Sequence, residues 1–242
     1  MDIYWLQQTA ADVPANDDWL SGSEAERLHG MRIPKRRGDW RLGRWTAKRA
    51  VLEYLAGRSC LCAMPDIEIH PAQTGAPEVL VTGLGDMPSL SISHCSGMAI
   101  CAVAQPHAEL GCDLESIELR SPTFVTDYFT EREQELLTHA SAEARPLLST
   151  LLWSAKESAL KALRSGLRLD TRSVEVSFPA AVRGPDGNHG PKLELRSSPG
   201  WQPLRVCCCQ ARVFHGWWQA EDNMVRTMIA SPPPFPPHRL QV

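Results

Sequence analysis

Trp153-Ser154-Ala155-Lys156-Glu157-Ser158-Ala159-Leu160-Lys161 lies inside a helix-forming run from about Arg145 to Ser165 that stops at Gly166, the residue type that most often ends a helix. Trp153 and Leu160 would anchor that helix in a core, which leaves Glu157 and Lys161 at i and i+4. A pair at this spacing is ordinarily a solvated ion pair adding roughly a few tenths of a kcal/mol. The alternative is that Glu157 completes a carboxylate cluster while Lys161 serves a phosphate or a proton transfer. About forty residues earlier, Leu110 to Glu115 reads as a strand on which Asp113 and Glu115, two apart, point to one face. Two carboxylates so placed can chelate a hard cation such as Mg2+, although D-x-E on a solvated strand face is common.

Working outward, strand-like pieces precede this pair at Ile67 to His70, Val79 to Val81, Leu90 to Ser93 and Ala99 to Ala104. Gly75-Ala76-Pro77 and Gln105-Pro106-His107 supply turns. Ser91-Ile92-Ser93-His94 ends its strand at a small-residue turn, so His94 either caps the turn or meets a ligand phosphate beside Ser93. Before these strands, Pro34 opens a helix from about Lys35 to Ala56, stopped at Gly57. Its Trp40, Ala47, Val51, Tyr54 and Leu55 recur at core spacing. Arg37, Arg41, Arg44 and Lys48 form an adjoining stripe that is either a solvated face or a phosphate site.

After the first carboxylates, Thr130 and Glu133 form a capping box. Further strands are expected at Val174 to Phe178, Leu193 to Arg196, Leu204 to Phe214 and Val225 to Ile229. Helix-then-strands thus occurs twice, which predicts an α+β fold of two similar lobes joined near Gln105 to Glu109. Lobe boundaries of 1–105 and 106–230 follow, although identity between the halves is too low to establish a repeat. The proline-rich segment from Ser231 reads as an extended tail over 231–242 rather than a folded element.

Composition narrows the function. The chain of 242 residues is 43 % hydrophobic and 22 % charged, with a net charge of −3. No apolar run could span a bilayer and no secretory signal opens the chain, so a cytoplasmic protein without membrane association is expected. Ten Lys/Arg against two acids between Arg27 and Arg58 give that segment +8, and the remainder −11. Such asymmetry points to an anionic ligand. Nucleic acid fits poorly, because the cations follow one helix face without interleaved aromatics. The eight cysteines lack zinc-site spacing, and the Cys207 to Cys209 triplet reads as core residues within a strand.

Taken in order, the basic helix, G-x-P, S-I-S-H, G-C-D-L-E and W-S-A-K-E-S-A-L-K-A-L-R-S-G-L resemble the 4'-phosphopantetheinyl transferase superfamily, of the surfactin-synthetase-activating type, over about Lys35 to Val176. The resemblance implies two pseudo-symmetric α+β lobes with the active site between them. It further implies a monomeric, Mg2+-dependent transferase that moves the phosphopantetheine arm of coenzyme A onto a serine of an apo acyl or peptidyl carrier protein, releasing 3',5'-ADP. Asp113, Glu115 and Glu157 match the Mg2+ ligands, and Glu157 and Lys161 the catalytic pair. Arg37, Arg44, Lys48, Ser93, His94, Asp113 and Lys161 match the coenzyme-binding set. One departure is Ala76, where the family turn carries Lys or Arg. The alternatives are a catalytically silent coenzyme-binding protein and a metal-dependent phosphohydrolase.

Overall fold

In the computed structural model, residues 1–179, 197–208 and 212–241 are described. The chain is α+β and builds two lobes of matching design. The first opens with strand β1 (Ile3–Thr9), a short helix α1 (Gly22–His29) and the long helix α2 (Pro34–Ala56). Strands β2 (Ile67–Pro71), β3 (Pro77–Val81), β4 (Ser89–Cys95) and β5 (Met98–Ala104) follow. The second opens with β6 (Glu109–Ser116), the short helices α3 (Pro122–Tyr128) and α4 (Glu131–His139), and the long helix α5 (Arg145–Ala162). It closes with β7 (Val174–Ser177), β8 (Ser198–Cys208), β9 (Arg212–Glu221) and β10 (Met224–Ser231). A last two-residue strand, β11 (His238–Arg239), returns to the first lobe.

Sheet order repeats as well. The first lobe runs β11-β1-β5-β4 beside a separate β2-β3 hairpin, and the second runs β6-β10-β9-β8-β7. In each, the lobe's first strand lies beside its last full strand, and the long helix covers one face. Ala47, Val51, Tyr54 and Leu55 of α2 bury against Leu6, Cys101 and Val103, while Leu151, Leu152, Ala155 and Leu160 of α5 bury with Phe214, Val225 and Ile229. A third cluster joins the lobes: Ile3, Trp5, Ile100 and Ala102 meet Leu110, Cys112, Leu114 and Met228. Each large apolar side chain so buried is worth about 1.5–3 kcal/mol.

The same polar clasp is built twice. Ser21 and Glu24 form a capping box on α1, and Thr130 and Glu133 form one on α4. Glu24 pairs with Lys48 of α2 at 2.7 Å and accepts from the Ile69 N–H of β2. Glu133 pairs with Lys156 of α5 at 2.8 Å and accepts from the Val176 N–H of β7. Both ammonium groups are wholly buried.

The expected elements need four corrections. The run Leu204 to Phe214 is not one strand but parts of β8 and β9, an antiparallel pair. Alternation along β8 leaves Cys207 exposed and Cys208 buried, so the triplet is not uniformly core, and Cys209 lies outside the described residues. The helix expected to reach Ser165 ends at Ala162, because Arg164 takes a left-handed backbone. The proline-rich tail contributes β11, parallel to β1, with Leu240 N–H donating to Trp5 O. The strand expected at Leu193 to Arg196 lies outside the described residues. Among the described residues no helix is long and apolar enough to cross a membrane.

Candidate active site

Gly111 places the site. A Cβ there would lie 1.8 Å from the Ser158 carbonyl oxygen of α5, so β6 and α5 touch backbone to backbone. Alternation then turns Asp113 and Glu115 toward the same helix, where Trp153, Glu157 and Lys161 await them. The glycine of G-C-D-L-E is thus a spacing device that brings strand carboxylates to helix side chains.

Asp113 is 3 % exposed. Its Oδ1 accepts from Lys161 Nζ and from Ser93 Oγ, both at 2.8 Å, and its Oδ2 is buried without a partner. Lys161 Nζ also donates to Cys112 O at 3.1 Å. Burial pulls the Lys161 pKa down, but Asp113, Cys112 and Glu157 outweigh it and the net shift is upward. Lys161 is therefore a fixed cation at neutral pH. Glu115 accepts from Trp153 Nε1 at 3.1 Å and from Arg120 at 3.0 Å. Its pKa is raised by burial first and then by Asp113. That of Glu157 is raised by burial, with Asp113 and Glu115 adding to the effect and Lys161 opposing it. Burial pushes the Cys112 thiol up to about 11, which makes it an uncharged core group.

Asp113, with its buried and unpartnered Oδ2, and the two carboxylates whose pKa values are raised beside it, Glu115 and Glu157, form a hard-oxygen donor set whose chemistry suits a divalent cation. As placed, no group of three His, Cys, Asp or Glu among the described residues converges as a metal cage.

Two cavities flank this cluster. One, of about 270 Å3, lies between the lobes, with Lys161 and Arg164 on one wall and the Gly75-Ala76-Pro77 turn, Ser89 and Ser91 on the other. The second, of about 390 Å3, is lined by Lys35, Arg36, Trp40 and Arg44 of α2 and by His94 of β4.

The basic stripe of α2 does not form a free phosphate-binding face. Lys48 is 0 % exposed and spent on Glu24, so it has no surface to offer a ligand and leaves the coenzyme-binding set. Arg41 binds Asp17 and the Pro14 carbonyl. Arg37 leans on Asp17 at 3.7 Å and stays 42 % exposed. Arg44 donates to Ile69 O and lies 3.5 Å from Glu24, yet still borders the second cavity. The neutralising acids come from residues 17 and 24, ahead of the helix, where no helical spacing could reveal them.

Sequence reasoning also missed Ser91, whose Oγ accepts from Cys112 N–H and fastens β4 to β6. It missed Arg120 as a partner of Glu115, and it read Trp153 only as a core anchor. The alternation of Ser91 and Ser93 on one strand face was a signal for the first; nothing in the sequence marks Arg120.

Residues 109–197 match the family model of the 4'-phosphopantetheinyl transferase superfamily. Among solved structures, the chain is similar to a holo-(acyl-carrier-protein) synthase from Bacillus anthracis in complex with CoA (3',5'-ADP), at 20 % identity and a TM-score of 0.37, over 43 % of this chain and 95 % of that one. It is similar also to the Thermotoga maritima holo-[acyl-carrier-protein] synthase, at 18 % and 0.35, over 53 % and 74 %. The Helicobacter pylori enzyme in complex with coenzyme A matches at 20 % and 0.29, over 43 % and 98 %. No curated protein sequence matches the chain.

Proposed function

We propose that the protein transfers the 4'-phosphopantetheine arm of coenzyme A to a serine of an apo acyl or peptidyl carrier protein and releases 3',5'-ADP. The observation that carries this reading is the meeting of Asp113, Glu115, Glu157 and Lys161 at the lobe junction, with Lys161 opening onto the cleft between the lobes. The family model, which spans both carboxylate motifs, supports it.

Phosphoryl transfer asks a protein for positioned charge more than for covalent help. Asp113, Glu115 and Glu157 would hold Mg2+, which when bound supplies charge neutralisation for a pyrophosphate. Lys161, fixed on Asp113 and 26 % exposed on the cleft side, stabilises or protonates the departing ADP phosphate. Glu157 takes the proton of the carrier serine. Ser93 holds Asp113 in place. His94, Arg44 and the exposed Arg37, with Lys35 and Arg36, face the nucleotide phosphates. Carriers with acidic helices would be steered by complementary charge.

Mass spectrometry of a panel of apo carriers incubated with coenzyme A and Mg2+ tests the reading. A mass gain of one phosphopantetheine on at least one carrier is expected. No gain across the panel, despite bound coenzyme, would replace the transferase with a silent coenzyme-binding protein.

A further inference from the structure

The cleft between the lobes carries two cations on its walls, Lys161 and Arg164, and no acid among the described lining residues. Lys161 is committed to Asp113. Arg164 stands differently. Helix α5 ends in a loop where Ser165 N–H donates to Leu160 O and Arg164 N–H to Lys161 O. This pairing is the Schellman motif, whose left-handed residue is usually glycine. Here that residue is Arg164, at φ 55°. The unusual backbone carries nothing alone, since α2 ends in the same way with Ser59 at φ 59°. What sets Arg164 apart is where its side chain goes.

Its guanidinium crosses to the other lobe and donates to Glu78 of β3 at 2.8 Å. The two side chains are 48 % and 39 % exposed, so the pair is solvated and easily exchanged. Glu78 itself does not line the cavity. Arg168 braces both walls, donating to the Thr74 carbonyl opposite at 2.7 Å and to the Arg164 carbonyl. The facing turn carries only Ala76, which leaves room for a ligand group between them.

We propose that Arg164 is a phosphate-binding residue of this cleft, held by Glu78 when the cleft is empty and exchanged onto a phosphate of the ligand when it is filled. The proposal rests on the reading of the cleft as a coenzyme A site. Glu78 is then a competitor of the ligand, so the two partners of one ion pair act on binding in opposite directions. A simple clasp between the lobes would give both substitutions the same sign.

Calorimetric titration of coenzyme A into wild type, Arg164→Gly, Glu78→Gln and the double variant decides between them. Glycine suits the left-handed backbone, so Arg164→Gly should keep the wild-type melting temperature. It should weaken coenzyme A about tenfold, the low end for a charge-assisted hydrogen bond at a partly solvated mouth. Glu78→Gln should tighten binding about two- to threefold, and the double variant should match Arg164→Gly alone. Unchanged affinity in Arg164→Gly, or weakening in both single variants, overturns the proposal. Should wild type fail to bind coenzyme A, the transferase reading fails by itself. Inorganic pyrophosphate then serves as the probe, with loss of its affinity in Arg164→Gly supporting the anion site and no change sinking it.

Discussion

Helices α2 and α5 hold the same place in the two lobes, and their sequences can be laid side by side. Trp45-Thr46-Ala47-Lys48-Arg49 through Leu52 and Leu55 corresponds to Trp153-Ser154-Ala155-Lys156-Glu157 through Leu160 and Leu163. Of the shared positions, the Ala and Lys are used alike: Ala47 and Ala155 are both fully buried, and both lysines are buried on a capping-box glutamate. The unshared positions differ in kind. Where α5 carries Glu157 and Lys161, α2 carries Arg49 and Glu53, a partly exposed i, i+4 pair of reversed sign. The strand faces turned toward these helices differ too: Gly111, Asp113 and Glu115 in one lobe, Tyr4, Leu6 and Gln8 in the other. What the lobes share holds the fold, and what only one of them has is where chemistry should be sought.

The largest effect that could break this comparison concerns Gly111, which has Tyr4 as its bulky counterpart. Gly111→Ala would drive a methyl into the α5 backbone and should cost more than about 4 kcal/mol, seen as loss of a cooperative thermal transition. A soluble variant of normal stability would show that the contact between β6 and α5 is looser than described.

Next come the paired lysines. Lys48→Met and Lys156→Met each strand a buried carboxylate, and each should cost about 3–5 kcal/mol in chemical denaturation. Glu24→Leu combined with Lys48→Met should recover only part of the loss, because the Ser21 and Ile69 N–H groups then lose their acceptor. At a temperature where the fold survives, Lys48→Met should bind coenzyme A as wild type does. Weakened binding there would return Lys48 to the ligand.

The positions of reversed sign give the third test. Glu157→Gln should lower carrier modification by two orders of magnitude or more, about 2.7 kcal/mol at the transition state, without loss of stability. Arg49→Gln, its counterpart, should leave the rate unchanged. Similar rates for both variants would dissolve the distinction between the lobes.

Smaller is the pH effect. Glu115 and Glu157 bind protons more tightly folded than unfolded, so the ligand-free protein should lose stability as pH rises through and above the ordinary carboxylate range. A cation held by their ionised forms offsets that loss, so Mg2+ should raise the melting temperature more near neutrality than in mild acid. An increment independent of pH would remove these carboxylates from the metal. Smallest is Ala76→Lys. A cation on that cleft wall should tighten coenzyme A several-fold, with less effect on dephospho-coenzyme A if it reaches the 3'-phosphate. Equal titration curves for wild type and variant would place the turn away from the nucleotide.

Much of this was legible in advance. The α+β class, both long helices and the strands bearing Ser93 and Asp113 follow from apolar runs bounded by Gly and Pro turns, a local signal that survives although β6 and α5 are buried on nearly every side. The repeat was also written in the sequence, as W-x-A-K-x-x-x-L-x-x-L in both helices, but overall identity obscures it and only the doubled clasp makes it plain. Lys48 was misjudged for a physical reason: charge on a helix stripe says nothing about acids arriving from another element. Glu24 lies 24 residues away and Asp17 farther still from Lys48. Strand β1 passed unread because its identity depends on partners far along the chain, whereas helix α1 carried a local signal, the Ser21–Glu24 capping box, that was not used.

The strand β11 has a consequence for the order of events during synthesis. The outer edge of β1 is covered by His238 and Arg239, which are translated after the whole second lobe. Until then the ribosome carries a first lobe with an open strand edge, the feature most prone to pairing with other chains. Completion of the nascent lobe is thereby tied to completion of its neighbour, so a strand edge made before the second lobe is sealed only after it.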